Sequence, residues 1–282
     1  MRWSVRVAAG VLAGAMSLVL GACAPGDDEG AAPPALSAEI VQGRGDVRDG
    51  IVGIVVTNES DAEIVVDHAE YRSSALAEPL VAGDDARIPP GASRALRGEL
   101  PEPTCDDAPV DDEVVVVLDD GTEIAVDPGD PYGQIPALTD APCVRLAVEG
   151  AADVDWLPID VPEPALGADA TVSVRLTPTG EGALDVVSVE STVLLALVDA
   201  AGQRATTVPL GVSITPDGDA QTVAFTVRPG RCDAHAIAED KQGTTLVFQV
   251  VLDGEPLELR LPSDDVTRGD LLDYVAASCG LA

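Results

Sequence analysis

The segment 232–241 contains a dense run of side chains that could do chemistry, among them Asp233, His235, Glu239 and Asp240. Imidazole nitrogens and carboxylate oxygens are ligands of divalent metals, so these four residues are weak candidates for a metal site or a binding epitope. The alternative is a polar loop after a disulfide-bonded strand, in which these side chains satisfy turns. We favour the loop, because the matching stretch of an internal repeat carries acids but no histidine. No metal or cofactor is therefore predicted.

Motifs for catalysis are missing from the sequence. His68 and His235 are its two histidines, and no Gly-x-Ser-x-Gly turn, phosphate-binding loop, His-Glu-x-x-His helix or EF-hand loop occurs. Acidic pairs are so frequent that choosing two as glycosidase carboxylates would be arbitrary. The sequence therefore predicts a protein that is not an enzyme.

Acidic groups recur along the chain, at Asp84-Asp85, Asp111-Asp112-Glu113 and Asp264-Asp265. Calcium between such loops is one interpretation, since calcium takes several oxygen ligands, but no calcium-loop spacing is present. We favour solvated surface charge. Two tripeptides are of low specificity: the adhesion-like Arg44-Gly45-Asp46 and the sequon Asn58-Glu59-Ser60.

Composition excludes one class of partner. The 282 residues include 16 Lys+Arg and 49 Asp+Glu, a formal net charge of −33, and only 2% are aromatic. Nucleic-acid binding relies on clustered cations and stacking aromatics, so no nucleic acid is expected as a partner. The 46% of hydrophobic residues is enough for real cores and disfavours disorder of the whole chain.

Residues 1–22 predict an export signal. Two arginines precede an apolar stretch, residues 7–19, which is too short for a stable membrane-spanning helix. The stretch leads into Leu20-Gly21-Ala22-Cys23, which resembles the lipobox of bacterial lipoproteins. The resemblance implies cleavage before Cys23 and a diacylglyceryl group on its thiol. We therefore expect a lipid anchor in the cell membrane, on the extracytoplasmic face, followed by a flexible acidic tether.

Four further cysteines, Cys105, Cys143, Cys232 and Cys279, are expected to form disulfides, because an even number in an exported chain favours them. Four cysteines allow three pairings, and an internal repeat selects one. An isoleucine-proline turn, a Cys-Asp pair, a valine-rich run, an Asp-Gly pair and a final cysteine occur twice in this order. We predict Cys105–Cys143 and Cys232–Cys279. Chance similarity between valine-rich strands is the alternative to a true repeat.

Hydrophobic periodicity predicts a mainly β protein. Apolar and polar residues alternate over 172–177, 223–227 and 257–261, as in strands with one buried face. The continuous apolar run Val114 to Leu118 predicts a central strand covered on both sides. Strand and turn spacing predicts two tandem antiparallel β-sandwiches, immunoglobulin-like in architecture, although the Cys-Trp-Cys spacing of true immunoglobulin domains is missing.

One short helix is predicted at the C-terminus. Leu271, Val275 and Cys279 would share one face, Thr267 would cap the start, and Gly280 would end the helix. The first copy has three prolines in the corresponding stretch, so its version is expected to be shorter or irregular.

The whole pattern resembles actinobacterial secreted lipoproteins with tandem immunoglobulin-like domains and no assigned activity. The resemblance is based on the lipobox and on a composition that is rich in Ala, Val, Gly and Asp and has a single lysine. The expected order is signal 1–22, tether 23–36, first sandwich 37–148, linker 149–166 and second sandwich 167–282. We expect a non-catalytic envelope interaction or spacer module with an envelope protein as partner. The alternative is an envelope lipoprotein that binds a small ligand or a divalent metal.

Overall fold

The computed structural model describes residues 33–83, 85–106, 110–162 and 165–281, which form two β-sandwiches. The predicted signal, Cys23 and most of the tether lie outside these ranges. The four sheets of the described residues confirm the mainly β fold with two tandem antiparallel sandwiches. No helix in the described part of the chain has both the length and the apolar character to cross a membrane.

The first sandwich contains nine strands. In chain order they are β1 (Leu36–Val41), β2 (Ile51–Asn58), β3 (Ile64–Ser73), β4 (Leu80–Ala82), β5 (Ala86–Ile88), β6 (Ser93–Glu99), β7 (Asp112–Leu118), β8 (Glu123–Val126) and β9 (Pro128–Gly129). One sheet has the order β6-β2-β1-β9 and the other the order β4-β3-β7-β8, with β5 also paired to β3. Pairing is antiparallel except between β1 and β9.

The second sandwich contains the remaining strands, and three helices complete the described chain. The strands are β10 (Ala152–Asp160), β11 (Ala170–Pro178), β12 (Leu184–Glu190), β13 (Leu195–Val198), β14 (Arg204–Ala205), β15 (Thr207–Ile214), β16 (Gln221–Pro229), β17 (Thr245–Leu252) and β18 (Glu255–Pro262). The helices are α1 (Ile135–Ala151), α2 (Ala234–Ala238) and α3 (Asp265–Ser278). The sheets have the orders β10-β11-β16-β13-β14 and β15-β12-β17-β18.

The two sandwiches share one strand arrangement. The order β6-β2-β1 of the first corresponds to β16-β11-β10 of the second, and β3-β7-β8 corresponds to β12-β17-β18. In an immunoglobulin-type sandwich, strands A, B and E share one sheet and strands C, F and G share the other. In the first copy β1, β2 and β6 take the A, B and E positions, and β3, β7 and β8 take the C, F and G positions. The copies differ at the edges, where β4 pairs with β3 but β13 pairs with β16. The arrangement agrees with the internal repeat in the sequence.

Each sandwich has its own aliphatic core. In the first, β7 lies between β3 and β8, and Val114, Val115 and Val116 are all buried, as the continuous apolar run predicted. In the second, Phe225 and Phe248 meet edge to face with ring centroids 6.0 Å apart. Rows of valine and leucine supply the rest of both cores, so the low aromatic content does not prevent close packing.

Residues 149–166 are not the linker that we expected. The chain passes directly from α1 into β10, which pairs with β11 from Ala152 opposite Pro178 to Asp160 opposite Thr171. Ala151 and Ala152 are buried in the second core. The second sandwich therefore begins well before residue 167, because helix and strand follow each other with no intervening loop.

The helix of the first copy is also longer than expected. Helix α1 has 17 residues against 14 in α3. Pro136 lies in its first turn, where a missing N–H does no harm, and Pro142 is inside the helix. The carboxylate of Asp130 accepts hydrogen bonds from the backbone N–H groups of Gln134 and Ile135, at 2.6 and 3.0 Å, and so caps the helix start.

Helix α3 has the predicted buried face but a different cap. Asp264, not Thr267, is the N-cap, and its Oδ1 accepts from the backbone N–H of Thr267 at 2.7 Å. Leu271 and Val275 are buried as predicted. The helix ends before Gly280, which has a φ of +68°, a conformation that glycine adopts without strain.

Both predicted disulfides are present. Cys105 and Cys143 join the loop after β6 to the middle of α1, with Cα atoms 5.5 Å apart. Cys232 and Cys279 join the segment after β16 to the end of α3, with Cα atoms 5.2 Å apart. The repeat therefore identified the pairing correctly.

Candidate functional site

A β-bulge in β3 places two consecutive polar side chains on the outer face of the first sandwich. Along β3 the buried positions are even-numbered up to Val66 and odd-numbered from Ala69, so the alternation of inward and outward side chains shifts by one residue. The change occurs where Val66 pairs with Leu118 while His68 already pairs with Val117. Asp67 is the extra residue, and both it and His68 reach the surface.

His68 lies between two carboxylates. Its Nδ1 is 2.7 Å from Oδ2 of Asp67, and its Nε2 is 3.4 Å from Oε1 of Glu70. The hydrogen bond with Asp67 raises the pKa of His68 above its usual 6.5; partial burial opposes the rise, and Glu70 adds to it. The site therefore favours the imidazolium form.

Arg72 extends the network along the same face. Its Nε and Nη2 each lie 2.7 Å from Oε2 of Glu70, Nη1 is 3.7 Å from Glu113, and Nη2 is 4.0 Å from Glu123. Burial is the largest single influence on the pKa of Glu70 and raises it, but the hydrogen bonds and positive charges of Arg72 and His68 together outweigh burial, and the pKa is lowered. We call these six residues the β3 charged face: Asp67, His68, Glu70, Arg72, Glu113 and Glu123. Exposed pairs of this kind contribute about 0–1 kcal/mol each. The β3 charged face therefore determines the charge distribution of the surface more than it stabilises the fold.

A shallow cleft of about 430 Å³ borders the β3 charged face. The turn 73–79 forms one wall and residues 111–113 form the other, with Arg72 at the boundary. The predicted acidic group Asp111-Asp112-Glu113 is thus part of this cleft, and the hydroxyl of Tyr71 donates to Oδ1 of Asp112 at 2.8 Å. Leu76 adds a buried apolar surface. The volume lies within the range of small-ligand clefts.

The four predicted metal candidates are not assembled as a ligand set. The side chain of His235, on α2, is 83% exposed, and its Nε2 is 3.4 Å from Oε1 of Glu239. The carboxylate of Asp240 accepts from the backbone N–H of Gly243 at 2.6 Å, and the carbonyl of Asp233 accepts from the N–H of Ile237. Within the described ranges, no group of three or more His, Cys, Asp or Glu side chains is placed to hold a metal ion. Residues Ala234–Ala238 form the short helix α2, so the segment is a polar helical turn and not the plain loop that we favoured.

The two tripeptides have structural partners. Asp46 of Arg44-Gly45-Asp46 pairs with Arg97, and the carbonyl of Arg44 accepts from Nε2 of Gln242 at 3.5 Å. Asn58 is completely buried, so the sequon is not accessible in the folded protein. Neither tripeptide is presented as a free recognition motif.

No protein-family model matches this chain, and no curated protein matches it. Solved structures with some similarity include a red sea bream transglutaminase (11% identity, TM-score 0.25, covering 81% of this chain and 31% of that one). Others are a protein of unknown function from Porphyromonas gingivalis (15% identity, TM-score 0.18, covering 75% and 89%) and the BSP domain of a biofilm associated protein (6% identity, TM-score 0.20, covering 79% and 56%). The chain spans less than a third of the transglutaminase. These TM-scores are too low to support any statement about function.

Proposed function

We propose that this protein is a non-catalytic lipoprotein, anchored through Cys23 on the extracytoplasmic face of the cell membrane, whose sandwiches act as an interaction or spacer module of the envelope. The observation that supports it best is the β3 charged face with its neighbouring cleft. His68 and Arg72 are each paired with carboxylates, and the six side chains are 21–63% exposed on the outer face of the sheet. Such an arrangement suits surface recognition, in which complementary charges orient a partner.

The proposed partner is an envelope protein that places cationic side chains against this surface. Glu78, Asp111, Asp112 and Glu113 line the cleft, and Arg72 is the only basic residue among its lining residues. Arg72 is already paired with Glu70, which leaves the carboxylates of the cleft to dominate its charge. The overall charge of −33 excludes nucleic acid and disfavours anionic lipid surfaces.

The lipid anchor is tested by Cys23→Ala in cells that process lipoproteins. The unchanged protein is expected in the membrane fraction, cleaved before Cys23 and with the mass of a diacylglyceryl adduct at its N-terminus, and the variant is expected to lose both the cleavage and the adduct. Unchanged protein whose N-terminal peptide lacks the diacylglyceryl mass would rule out this anchor.

The interaction surface is tested with a photo-crosslinking amino acid at Val81, which is 55% exposed and pairs with Glu70 across β3 and β4. The matched control is Val187, which is 45% exposed on the second sandwich. One envelope protein is expected to be crosslinked from position 81 but not from 187, and the product should weaken in a Glu78→Gln, Glu113→Gln background, which removes two of the carboxylates that line the cleft. Equal crosslinking from both positions, or none from 81, would refute this surface.

A further inference from the structure

Helix α1 is shared between the two sandwiches. At its start, Ile135 packs against the first core and Leu138 is buried within it. The side chain of Gln134 also pairs with the backbone of Gln42, accepting from its N–H at 2.9 Å and donating to its carbonyl at 3.0 Å. The first half of α1 is therefore fixed to the first sandwich.

The second half of α1 is fixed to the second sandwich. Val144 packs against the second core, and Val148 and Ala151 are buried in it. Thr179, in the turn after β11, donates its hydroxyl to the carbonyl of Gly150 and its backbone N–H to that of Ala151. The end of the helix thus moves with the second sandwich.

Pro142 lies at the boundary between these halves. Proline has no N–H to donate to the carbonyl four residues earlier, here that of Leu138, and its ring crowds that turn. Sharp bends in helices concentrate at such positions. Among the described residues, the other polar contacts that join the sandwiches are exposed: an ion pair of Arg48 with Asp265, and the hydrogen bond of Gln242 with Arg44. Contacts of this kind add little rigidity.

The first disulfide spans this boundary. Cys143 follows Pro142 directly and so belongs to the half that is fixed to the second sandwich, whereas Cys105 is in a loop of the first. The second disulfide, Cys232–Cys279, lies wholly within the second sandwich. The two bridges have equivalent positions in the repeat but different mechanical roles.

We propose that Pro142 and Cys143 form an interdomain hinge and that the Cys105–Cys143 disulfide is its lock. With the bridge closed, the two sandwiches hold one relative orientation. With the bridge absent, the helix bends at Pro142, where one backbone hydrogen bond is already missing. The orientation of the β3 charged face relative to the second sandwich then varies. This device does not depend on the proposed partner.

The test measures distances between spin labels in the full-length protein. Labels are attached to ketone-bearing amino acids at Val81 and Val187, one on each sandwich, so that no cysteine is added. The distance distribution of Cys105→Ser/Cys143→Ser is expected to be roughly twofold broader than that of the unchanged protein, as for a hinge released from a constraint. Cys232→Ser/Cys279→Ser is the matched control and should keep the narrow distribution.

Two further measurements make the result decisive even if the serine variant folds poorly. In the Cys232→Ser/Cys279→Ser background, brief phosphine treatment of folded protein opens only Cys105–Cys143 and should broaden the distribution. Adding Pro142→Ala to Cys105→Ser/Cys143→Ser should narrow it again, because the helix regains its hydrogen bond. An unchanged width on opening the first bridge, or equal broadening on loss of either bridge, would overturn the proposal.

Discussion

Asn58 shows how one buried side chain can organise a loop. Its amide nitrogen donates to the carbonyls of Ala62 and Ile88, at 2.8 and 2.9 Å, and its amide oxygen accepts from the N–H and the hydroxyl of Ser60. These four bonds use the full capacity of an asparagine amide. The sequence alone shows a glycosylation tripeptide, and only the structure shows that its asparagine is the centre of a loop.

We expect Asn58→Asp to be strongly destabilising. The aspartate loses both donors, which leaves the carbonyls of Ala62 and Ile88 facing a buried carboxylate. The expected loss in free energy of unfolding is about 3 kcal/mol or more, measured by urea denaturation. The exposed neighbour serves as control: Glu59→Gln should change stability by less than about 0.5 kcal/mol. Equal losses in the two variants would contradict this account of Asn58.

The network around His68 predicts a pH dependence. Since the pKa of His68 is raised in the folded protein, its stabilising effect is complete below the unfolded value of 6.5 and disappears as pH rises through the folded pKa. His68→Gln should therefore lower the melting temperature at about pH 5.5 and lower it much less at about pH 8.5. Melts over this range measure the difference.

His235→Gln is the matched control for that series, because the His235 ring is largely exposed and has one carboxylate at 3.4 Å rather than two around it. Its melting temperature should follow that of the unchanged protein at each pH. A constant deficit of His68→Gln across the whole range would show that the ring matters for packing and not for charge.

At the scale of elements, the sequence predicts those strands and disulfides that local periodicity and the internal repeat determine. Alternating strands, the central β7 and both disulfides follow from these signals. Helix α1 does not, because its prolines lower local helix propensity, whereas its stability comes from tertiary contacts: Asp130 caps its start, and its Val148 is buried in the second core. The bulge at Asp67 is not among the predictions either, although in the sequence the apolar positions shift from Val66 to Ala69, which breaks the alternation of β3.

Helix α1 should therefore behave as part of the second core. Val148 is fully buried beside a cavity of about 20 Å³ lined only by apolar side chains, so its neighbours are already incompletely packed. We expect Val148→Ala to lower the free energy of unfolding by about 2 kcal/mol, as lost burial and an enlarged cavity combine.

The control for this prediction lies on the same helix. Leu146 is 41% exposed, and Leu146→Ala should cost less than about 0.5 kcal/mol in the same urea titrations. If Val148→Ala is as mild as Leu146→Ala, α1 does not contribute to the second core in solution.

At the scale of the whole molecule, the acidic excess shapes the surface. Seven arginines form ion pairs with carboxylates among the described residues: Arg48, Arg72, Arg87, Arg97, Arg145, Arg228 and Arg260. With 49 acidic residues in the chain, most carboxylates have no cation to offset them. Their mutual repulsion favours solubility but opposes the compact state. In the proposed anchored protein, the acyl chains on Cys23 would bind the membrane and the folded domains would not, since anionic headgroups repel an acidic protein surface.

This repulsion predicts stabilisation by salt. Raising NaCl from about 20 mM to about 300 mM shortens the screening length from roughly 20 Å to roughly 6 Å, so at neutral pH the melting temperature should rise by several degrees. The same series at about pH 4.5, close to the isoelectric point of about 4.1, is the control, because the net charge there is small and the rise should nearly vanish. Exposed ion pairs weaken with salt, so they work against the predicted rise and cannot produce it. An equal rise at both pH values would mean that salt acts on apolar surface instead, and no rise at neutral pH would mean that the acidic groups lie too far apart to repel.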